Sequence, residues 1–225
     1  MNLTMMDLQK LQALKAQLSE HKVKLVAVSK TKPIEVILEF YEAGHKAFGE
    51  NKVQELVEKY EQMPKDIEWH FIGHLQSNKV KYIASFVHLI HGVDSFKLLQ
   101  EINKQAAKND RIIDCLLQMH IAEESTKFGF DESEVFEVLQ DSDFEALENV
   151  RIAGVMGMAT YTDDTQQVRR EFHQLQQIFE ALKNRFFEGQ DSFKEISMGM
   201  SGDYELAIEE GSTMVRVGSL LFGSR

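Results

Sequence analysis

The feature that most constrains this chain is an eightfold alternation between short apolar stretches and longer segments whose apolar residues recur every three to four positions. Each short stretch has the length of a strand and ends in polar residues before the helical spacing begins. The eight predicted strands are Leu25–Ser29, a short strand within 44–51, Trp69–His74, Phe86–Val93, Arg111–Ile121, Val150–Met156, Phe193–Ser197 and Met214–Val217. Eight βα units in 225 residues predict a single-domain TIM-type (β/α)8 barrel spanning residues 1–225, with a doubly wound open sheet as the alternative.

An additional helix is predicted ahead of the first strand. Leucines recur there at three to four residues, at positions Leu8, Leu11, Leu14 and Leu18, which predicts an amphipathic helix over 4–19 that packs against the rest of the fold. Further helices are predicted near 78–84 and from about Asp131 onward.

Composition excludes several classes of function. The net charge of −11 and the pI of about 5.2 argue against nucleic acid or an anionic membrane as a partner, because both bind concentrated positive charge. The single cysteine, Cys115, lies in an apolar stretch and excludes a disulfide framework and a cysteine-based zinc site. No signal peptide and no apolar run long enough to cross a bilayer is apparent, so we expect a cytoplasmic protein with no membrane partner.

Lys30 stands where the first strand meets its helix. The carboxyl ends of parallel strands converge on one mouth of a barrel, where active sites are built. An amine held there, partly withdrawn from water, is suited to attack an aldehyde and form a Schiff base. The alternative is a lysine that only extends to solvent.

Glycine and serine follow the seventh and eighth strands, in Met198–Gly202 and Val217–Ser219. Barrels often bind phosphate at this position through backbone N–H groups, although ordinary tight turns have the same composition. Arg216 lies two residues before Gly218, so the strand period predicts that it faces the same side, whereas outside that context it would be a solvent-facing or ion-paired arginine.

Other polar residues at predicted strand exits include Asn51 and His74. His70 and His74 have a spacing that suits a metal ion, but no carboxylate pattern or cysteine accompanies them. We therefore predict no metal site.

Several motifs together resemble one known family. They are Ala27–Thr31, Phe48–Asn51 with Gln54 and Glu55, Trp69–Lys79, Ser197–Asp203 with Ala207 and Ile208, Gly211–Ser219, and Phe222–Arg225. In combination they resemble the pyridoxal phosphate homeostasis family over essentially the whole chain. The resemblance implies a fold-type III barrel similar to the amino-terminal domain of alanine racemase, with pyridoxal 5′-phosphate (PLP) held as a Schiff base.

The resemblance also implies roles for individual residues. Lys30 matches the family's Schiff-base lysine, and Arg216 matches the residue that faces the pyridine nitrogen. Ser201, Gly218 and Ser219 match the phosphate-binding positions, and Met200 lies in the same turn and is included among the cofactor-binding residues. Asn51 and His74 fall at positions around the ring.

The expected function is PLP binding in vitamin B6 homeostasis without turnover, since a cationic arginine beside the ring nitrogen disfavours its protonation and weakens PLP as an electron sink. Apo PLP-dependent enzymes are the expected acceptors, and a monomer is expected.

A single-domain amino-acid racemase or related PLP enzyme is the alternative. It needs a second acid/base, for which Tyr161 or Tyr204 are the candidates, because the chain ends six residues after Ser219 and no further domain is expected to supply one. A third possibility is a phosphosugar-type barrel enzyme without PLP.

Overall fold

The computed structural model describes residues 5–123 and 128–223, with side chains from residue 8 onward. Eight parallel strands follow one another around a closed barrel in chain order. They are β1 (Lys24–Val28), β2 (Ala47–Glu50), β3 (Glu68–Phe71), β4 (Leu89–Val93), β5 (Ile113–Gln118), β6 (Val150–Met156), β7 (Glu195–Ser197) and β8 (Met214–Val217). Because β8 pairs with β1, with Val26 opposite Arg216, the barrel is confirmed and the open sheet was the wrong alternative.

Helices cover the outside of the barrel. They are α1 (Met5–Glu20), α2 (Ile34–Glu42), α3 (Val53–Gln62), α4 (Phe96–Ala107), α5 (Glu132–Gln140), α6 (Ser142–Glu145), α7 (Thr165–Phe186), α8 (Tyr204–Glu209) and α9 (Ser219–Phe222). The predicted amino-terminal helix is confirmed as α1, although residue 4, its predicted first residue, lies outside the described residues, as do Ser224 and Arg225 of the last motif. The helix predicted from Asp131 is α5, where Asp131 and Glu134 form a capping box.

Several local predictions need correction. Strand β3 ends at Phe71 and not at His74, and β7 begins at Glu195 and not at Phe193. The segment between β3 and β4 forms a 3₁₀ helix, Ser77–Tyr82, instead of the α-helix predicted near 78–84. Strand β4 begins at Leu89 and not at Phe86, because the amides of Phe86 and Val87 donate to Ile83 O and so continue the preceding turn. Strand β5 is shorter than the predicted Arg111–Ile121, since Arg111 turns its guanidinium to Ala84 O and Val87 O, at 2.6 and 2.8 Å.

The apolar residues form two layers on either side of the strands. A small cluster fills the barrel interior, formed by Val26, Leu89, Leu116, Ala153, Met156 and Met214. A larger one lies between the strands and the helices and includes Phe40, Trp69 and the fully buried Cys115, as predicted for the cysteine. Burial of each large side chain contributes about 1.5–3 kcal/mol, so this outer layer holds the helices onto the barrel.

Within the described part of the chain, no helix combines the length and the apolar character needed to cross a membrane.

Candidate functional site

Lys30 lies at the carboxyl-terminal mouth of the barrel, two residues beyond the end of β1, and is half-buried. The turn around it is tight: Lys32 N donates to Ser29 O at 3.0 Å, and Thr31 has a φ of 65°. Lys32 Nζ then donates to Phe222 O at 2.9 Å, which ties this turn to α9. The turn that carries Lys30 therefore lies beside the segment that follows β8.

A buried ionic network supports this turn from behind. Lys59 Nζ donates to Ser29 O at 2.8 Å and to both Glu50 and Glu55 at 2.7 Å. Ser29 Oγ donates to Glu50 at 2.6 Å, and Thr31 N donates to Glu55. Burial raises the pKa of the Glu50 carboxyl, which the Lys59 ammonium and the Ser29 hydroxyl oppose. Both neighbours of the strand-end lysine are therefore fixed by one charged cluster.

The two glycine-serine turns meet, as their positions after β7 and β8 predict. Ser201 Oγ accepts from the amides of Gly218 and Leu220 at 3.2 and 3.4 Å. Gly218 also lies close to β1, because a Cβ built on it would stand 3.2 Å from both Cβ and O of Val28. A larger residue here would push the ends of β8 and β1 apart. The backbone N–H groups of this turn thus converge beside the exit of β1, where Lys30 follows.

Ser219 and Met200, the other two residues predicted in this region, differ in their exposure and hydrogen bonding. Ser219 is exposed and is the first residue of α9. Met200 is 38% exposed, and its amide donates to Asp203 Oδ1. That amide is therefore already bound within the turn, which leaves the side chain of Met200 as the part that can contact a ligand.

Arg216 is buried inside the barrel, 4% exposed, and is not the solvent-facing arginine that its sequence also allowed. Its Nη1 donates to Ser197 Oγ at 2.6 Å and its Nη2 to Gly157 O at 3.1 Å. Burial lowers the pKa of its guanidinium to about 10, an effect that Asp203 opposes, so the side chain remains charged at pH 7. The structure thus holds a permanent cation, fixed by a hydroxyl and a carbonyl, below the mouth.

A chain of buried polar side chains continues from Arg216 through the barrel. His91 Nδ1 lies 3.0 Å from Ser197 Oγ, and His91 Nε2 lies 2.9 Å from His70 Nδ1. Burial lowers the pKa of His70 to about 3 and that of His91 well below its usual value, so both rings are neutral at pH 7. His91 was not among the residues predicted for the site, although a histidine within an otherwise apolar strand indicates a buried polar group that needs a partner.

Asn51 and His74 lie on the other side of Lys30, at the exits of β2 and β3, and line one cavity of about 670 Å³. His74 Nδ1 lies 2.9 Å from Asp94 Oδ2, and its ring stacks on Phe128 with centroids 4.1 Å apart. The structure thus gathers Ser201, Gly218, Ser219 and Arg216 around β7, β8 and β1, and Asn51 with His74 around β2 and β3. His70 and His74, the pair considered for a metal ion, engage different partners and are not brought together.

Comparison with known proteins shows which family this chain is similar to. The model of the alanine racemase N-terminal domain family matches residues 8–225. A pyridoxal phosphate homeostasis protein from Aquifex aeolicus is 43% identical over 207 residues, which are 92% of this chain and 89% of that protein. A protein of the same name from Vibrio alginolyticus is 41% identical over 208 residues, covering 90% and 87% of the two chains.

Solved structures agree with the sequence comparison. PipY of Synechococcus elongatus, solved without PLP, superposes with a TM-score of 0.89 at 34% identity over 96% of this chain and 99% of that one. The same protein with PLP bound gives a TM-score of 0.84 at 33% identity over 96% and 100%. An alanine racemase from Clostridium difficile, at 16% identity, shares the fold, with a TM-score of 0.74 over 98% of this chain and 57% of that one. The chain therefore belongs to the alanine racemase N-terminal domain family and, within it, to the pyridoxal phosphate homeostasis proteins.

Proposed function

We propose that this chain binds PLP at the carboxyl-terminal mouth of its barrel and acts in intracellular PLP homeostasis. The observation that carries the proposal is the set of three groups at this mouth: a lysine just beyond the end of β1, backbone amides after β8 that converge on the Ser201 hydroxyl after β7, and a buried arginine on β8, the strand paired with β1. Relatives at 36–43% identity bear the name of this function, and PipY has been solved with PLP bound.

The donors at this mouth fit a phosphorylated aldehyde. Ser201 Oγ accepts from Gly218 N–H and so keeps its own hydroxyl hydrogen to donate to a phosphate oxygen, as can Ser219 Oγ, and the bare Gly218 backbone lets such a group approach closely. We assign Lys30 Nζ to Schiff-base formation with the aldehyde, and Arg216 to the face that meets the ring nitrogen. Asn51, His74 and Met200 are assigned to the surroundings of the ring. PLP supplies a reactive aldehyde and an electron-withdrawing ring when bound.

We further propose that the protein stores or transfers PLP without catalytic turnover. The buried Arg216 cation disfavours a proton on a neighbouring ring nitrogen. Neither tyrosine considered as a second acid/base is held over the mouth: Tyr161 is 99% exposed, and Tyr204 donates to Gln17 on α1 at 3.2 Å. The racemase alternative therefore has less support.

Apo PLP-dependent enzymes as acceptors, a monomeric state and a cytoplasmic location complete the proposal. The net charge of −11 supports the absence of a nucleic-acid partner.

The test is the near-visible absorbance of the purified protein after PLP is added and unbound PLP is removed by desalting. We expect a retained Schiff-base band in the parent protein, no band in Lys30→Ala, and an unchanged band in Lys52→Ala, which removes an exposed lysine after β2. Borohydride reduction followed by peptide mass mapping should place the label on Lys30. A band that survives in Lys30→Ala, or no band in any of the three proteins, would contradict the assignment.

Turnover is measured separately, as exchange of the α-hydrogen of amino acids in deuterated water. We expect no exchange above free PLP. Exchange that continues through many cycles and disappears in Lys30→Ala would instead establish an enzyme.

A further inference from the structure

A second cavity opens at the opposite, amino-terminal end of the barrel. Its volume is about 950 Å³, and it is lined by the first residues of several strands, among them Lys24, Ala47 and Glu68. The PLP site proposed above lies at the other end, so that site does not explain this cavity.

Three side chains with metal-binding atoms meet in this cavity: Glu68, His70 and His88. One potential ligand atom from each residue lies within 4.8 Å of the other two. Among the described residues, no other group of three histidine, cysteine, aspartate or glutamate side chains comes together in this way. The set of two histidines and one glutamate is a known ligand set for zinc, with a fourth position left for water. The carboxylate comes from the residue two before His70, and His88 immediately precedes the next strand, β4.

The geometry needs only a small closure to hold an ion. Ligands about 2.0–2.2 Å from a tetrahedral zinc ion lie roughly 3.4 Å from one another. His70 is buried and fixed, whereas Glu68 and His88 are exposed, so their side chains are free of packing that would prevent rotation toward His70. The backbone already holds β3 and β4 in register, since His88 N donates to Trp69 O at 2.9 Å.

The hydrogen bonding of His70 resembles that of histidines that bind metal ions. A histidine that binds a metal commonly donates its other ring N–H to a fixed acceptor, which sets the tautomer and the ring orientation. His70 Nδ1 lies 2.9 Å from His91 Nε2, which leaves His70 Nε2 for the ion. His91 Nδ1 lies 3.0 Å from Ser197 Oγ. His70 Nδ1–H can therefore donate to His91 Nε2 while His91 Nδ1–H donates to Ser197 Oγ.

The charges at the rim are compatible with a cation. Two of the six lysines and arginines in the lining are ion-paired with acidic residues that also line the cavity: Lys24 with Glu195 at 2.5 Å and Arg151 with Asp114 at 2.6 Å. These acidic partners offset the two cations, and Glu68 adds a negative charge as a ligand.

We propose that Glu68, His70 and His88 bind one divalent transition-metal ion of the zinc type at the amino-terminal end of the barrel. Nitrogen and carboxylate ligands favour zinc, cobalt, nickel or copper over magnesium and calcium, which prefer sites built from oxygen alone. The proposal is independent of PLP binding.

The experiment uses tag-free, full-length protein stripped with a chelator, since a histidine tag would bind the same ions. Co²⁺ is titrated in and followed by its visible d–d absorbance, and Zn²⁺ is then added to displace it. We expect one equivalent of Co²⁺ with the intense bands of a four-coordinate site. Glu68→Gln and His88→Ala should each weaken binding by at least about tenfold. Both residues are exposed, so these variants are expected to fold, which far-ultraviolet circular dichroism checks.

His173→Ala is the matched control, because His173 is an exposed histidine on α7 that also has a carboxylate neighbour, Glu210 at 3.3 Å. It should leave Co²⁺ binding unchanged. Titration with and without PLP separates an ion held by the protein from one chelated by PLP, which the variants would not affect. The proposal fails if the parent protein binds no stoichiometric Co²⁺ or Zn²⁺, if Glu68→Gln and His88→Ala bind as tightly as the parent, or if Mg²⁺ displaces Co²⁺ as well as Zn²⁺ does.

Discussion

At the scale of single residues, the position of Lys30 depends on side chains that never face the mouth. Ser29 and Thr31, on either side of it, are bound to the Glu50, Glu55 and Lys59 cluster between β2 and α3. Glu50 is fully buried, and its Oε2 has no hydrogen-bond partner among the described residues. Lys59 is therefore the main compensation for a buried carboxylate.

Lys59→Met removes this compensation while keeping the length of the side chain. Breaking a buried ion pair by removing one partner typically costs about 3–5 kcal/mol, because the remaining charge is left desolvated. We expect a loss of that size in the free energy of unfolding, measured by urea denaturation, together with weaker retention of PLP.

Lys46→Met is the matched control. Its ion pair with Asp66 is exposed, with 51% of each side chain accessible, so solvent screens it and stability should hardly change. Equal effects of the two substitutions would show that the buried cluster does not support the turn.

At the scale of secondary-structure elements, strand β6 shows how the barrel is brought into register. The pairing of β5 with β6 shifts after Cys115 and Ile152, so that Leu116 lies opposite Gly154 and Ala153 is passed over. Gly154 has a φ of 150°, and a Cβ on it would lie 1.8 Å from Glu195 O in β7. The bulge and the close contact with β7 both require glycine.

Gly154→Ala should therefore destabilise the barrel by more than about 4 kcal/mol, seen as loss of soluble protein or as a large fall in the midpoint of urea unfolding. Gly189→Ala separates this clash from backbone strain alone, because Gly189 also has a positive φ, 74°, but no atom within 4 Å of the added Cβ. We expect it to cost about 1–2 kcal/mol. Similar losses in the two variants would show that the contact with Glu195 O is relieved by movement of β7.

At the scale of the whole molecule, burial of neutral histidines makes the fold sensitive to acid. His45 is 5% exposed, and burial lowers its pKa from 6.5 to about 4, although its hydrogen bond to Ala47 O opposes the shift. Below pH 6.5 the unfolded chain binds a proton at this residue and the folded chain does not. The contribution of neutral His45 to the free energy of unfolding is therefore fully present above pH 6.5 and is lost as the pH falls toward 4.

The slope for one such proton is about 1.4 kcal/mol per pH unit, which amounts to about 3 kcal/mol between pH 6.5 and 4. We expect the free energy of unfolding, measured in urea at several pH values, to fall more steeply in the parent than in His45→Gln. Parallel pH profiles for the two proteins would contradict the prediction.

The sequence by itself determined the eight βα units and the end of the sheet at which Lys30, Ser201 and Gly218 lie, whereas the pairing of β8 with β1 in the structure decided between the barrel and the open sheet. The units and their common end follow from local rules: strand and helix periods are read over a few residues, and parallel strands carry all their exits to one mouth. The resemblance of whole motifs to one family then predicted PLP as the ligand.

Only the tertiary structure decided which polar side chains meet. His91 and Ser197 are 106 residues apart, and Glu68, His70 and His88 face one another only because β3 and β4 pair in a particular register. Elsewhere in the sheet the register also includes irregularities, such as the shifts between β4 and β5 and between β5 and β6. A one-residue slip moves every side chain of a strand to the other face, so contacts inside the barrel are set by the closure of the whole sheet and not by any segment of it.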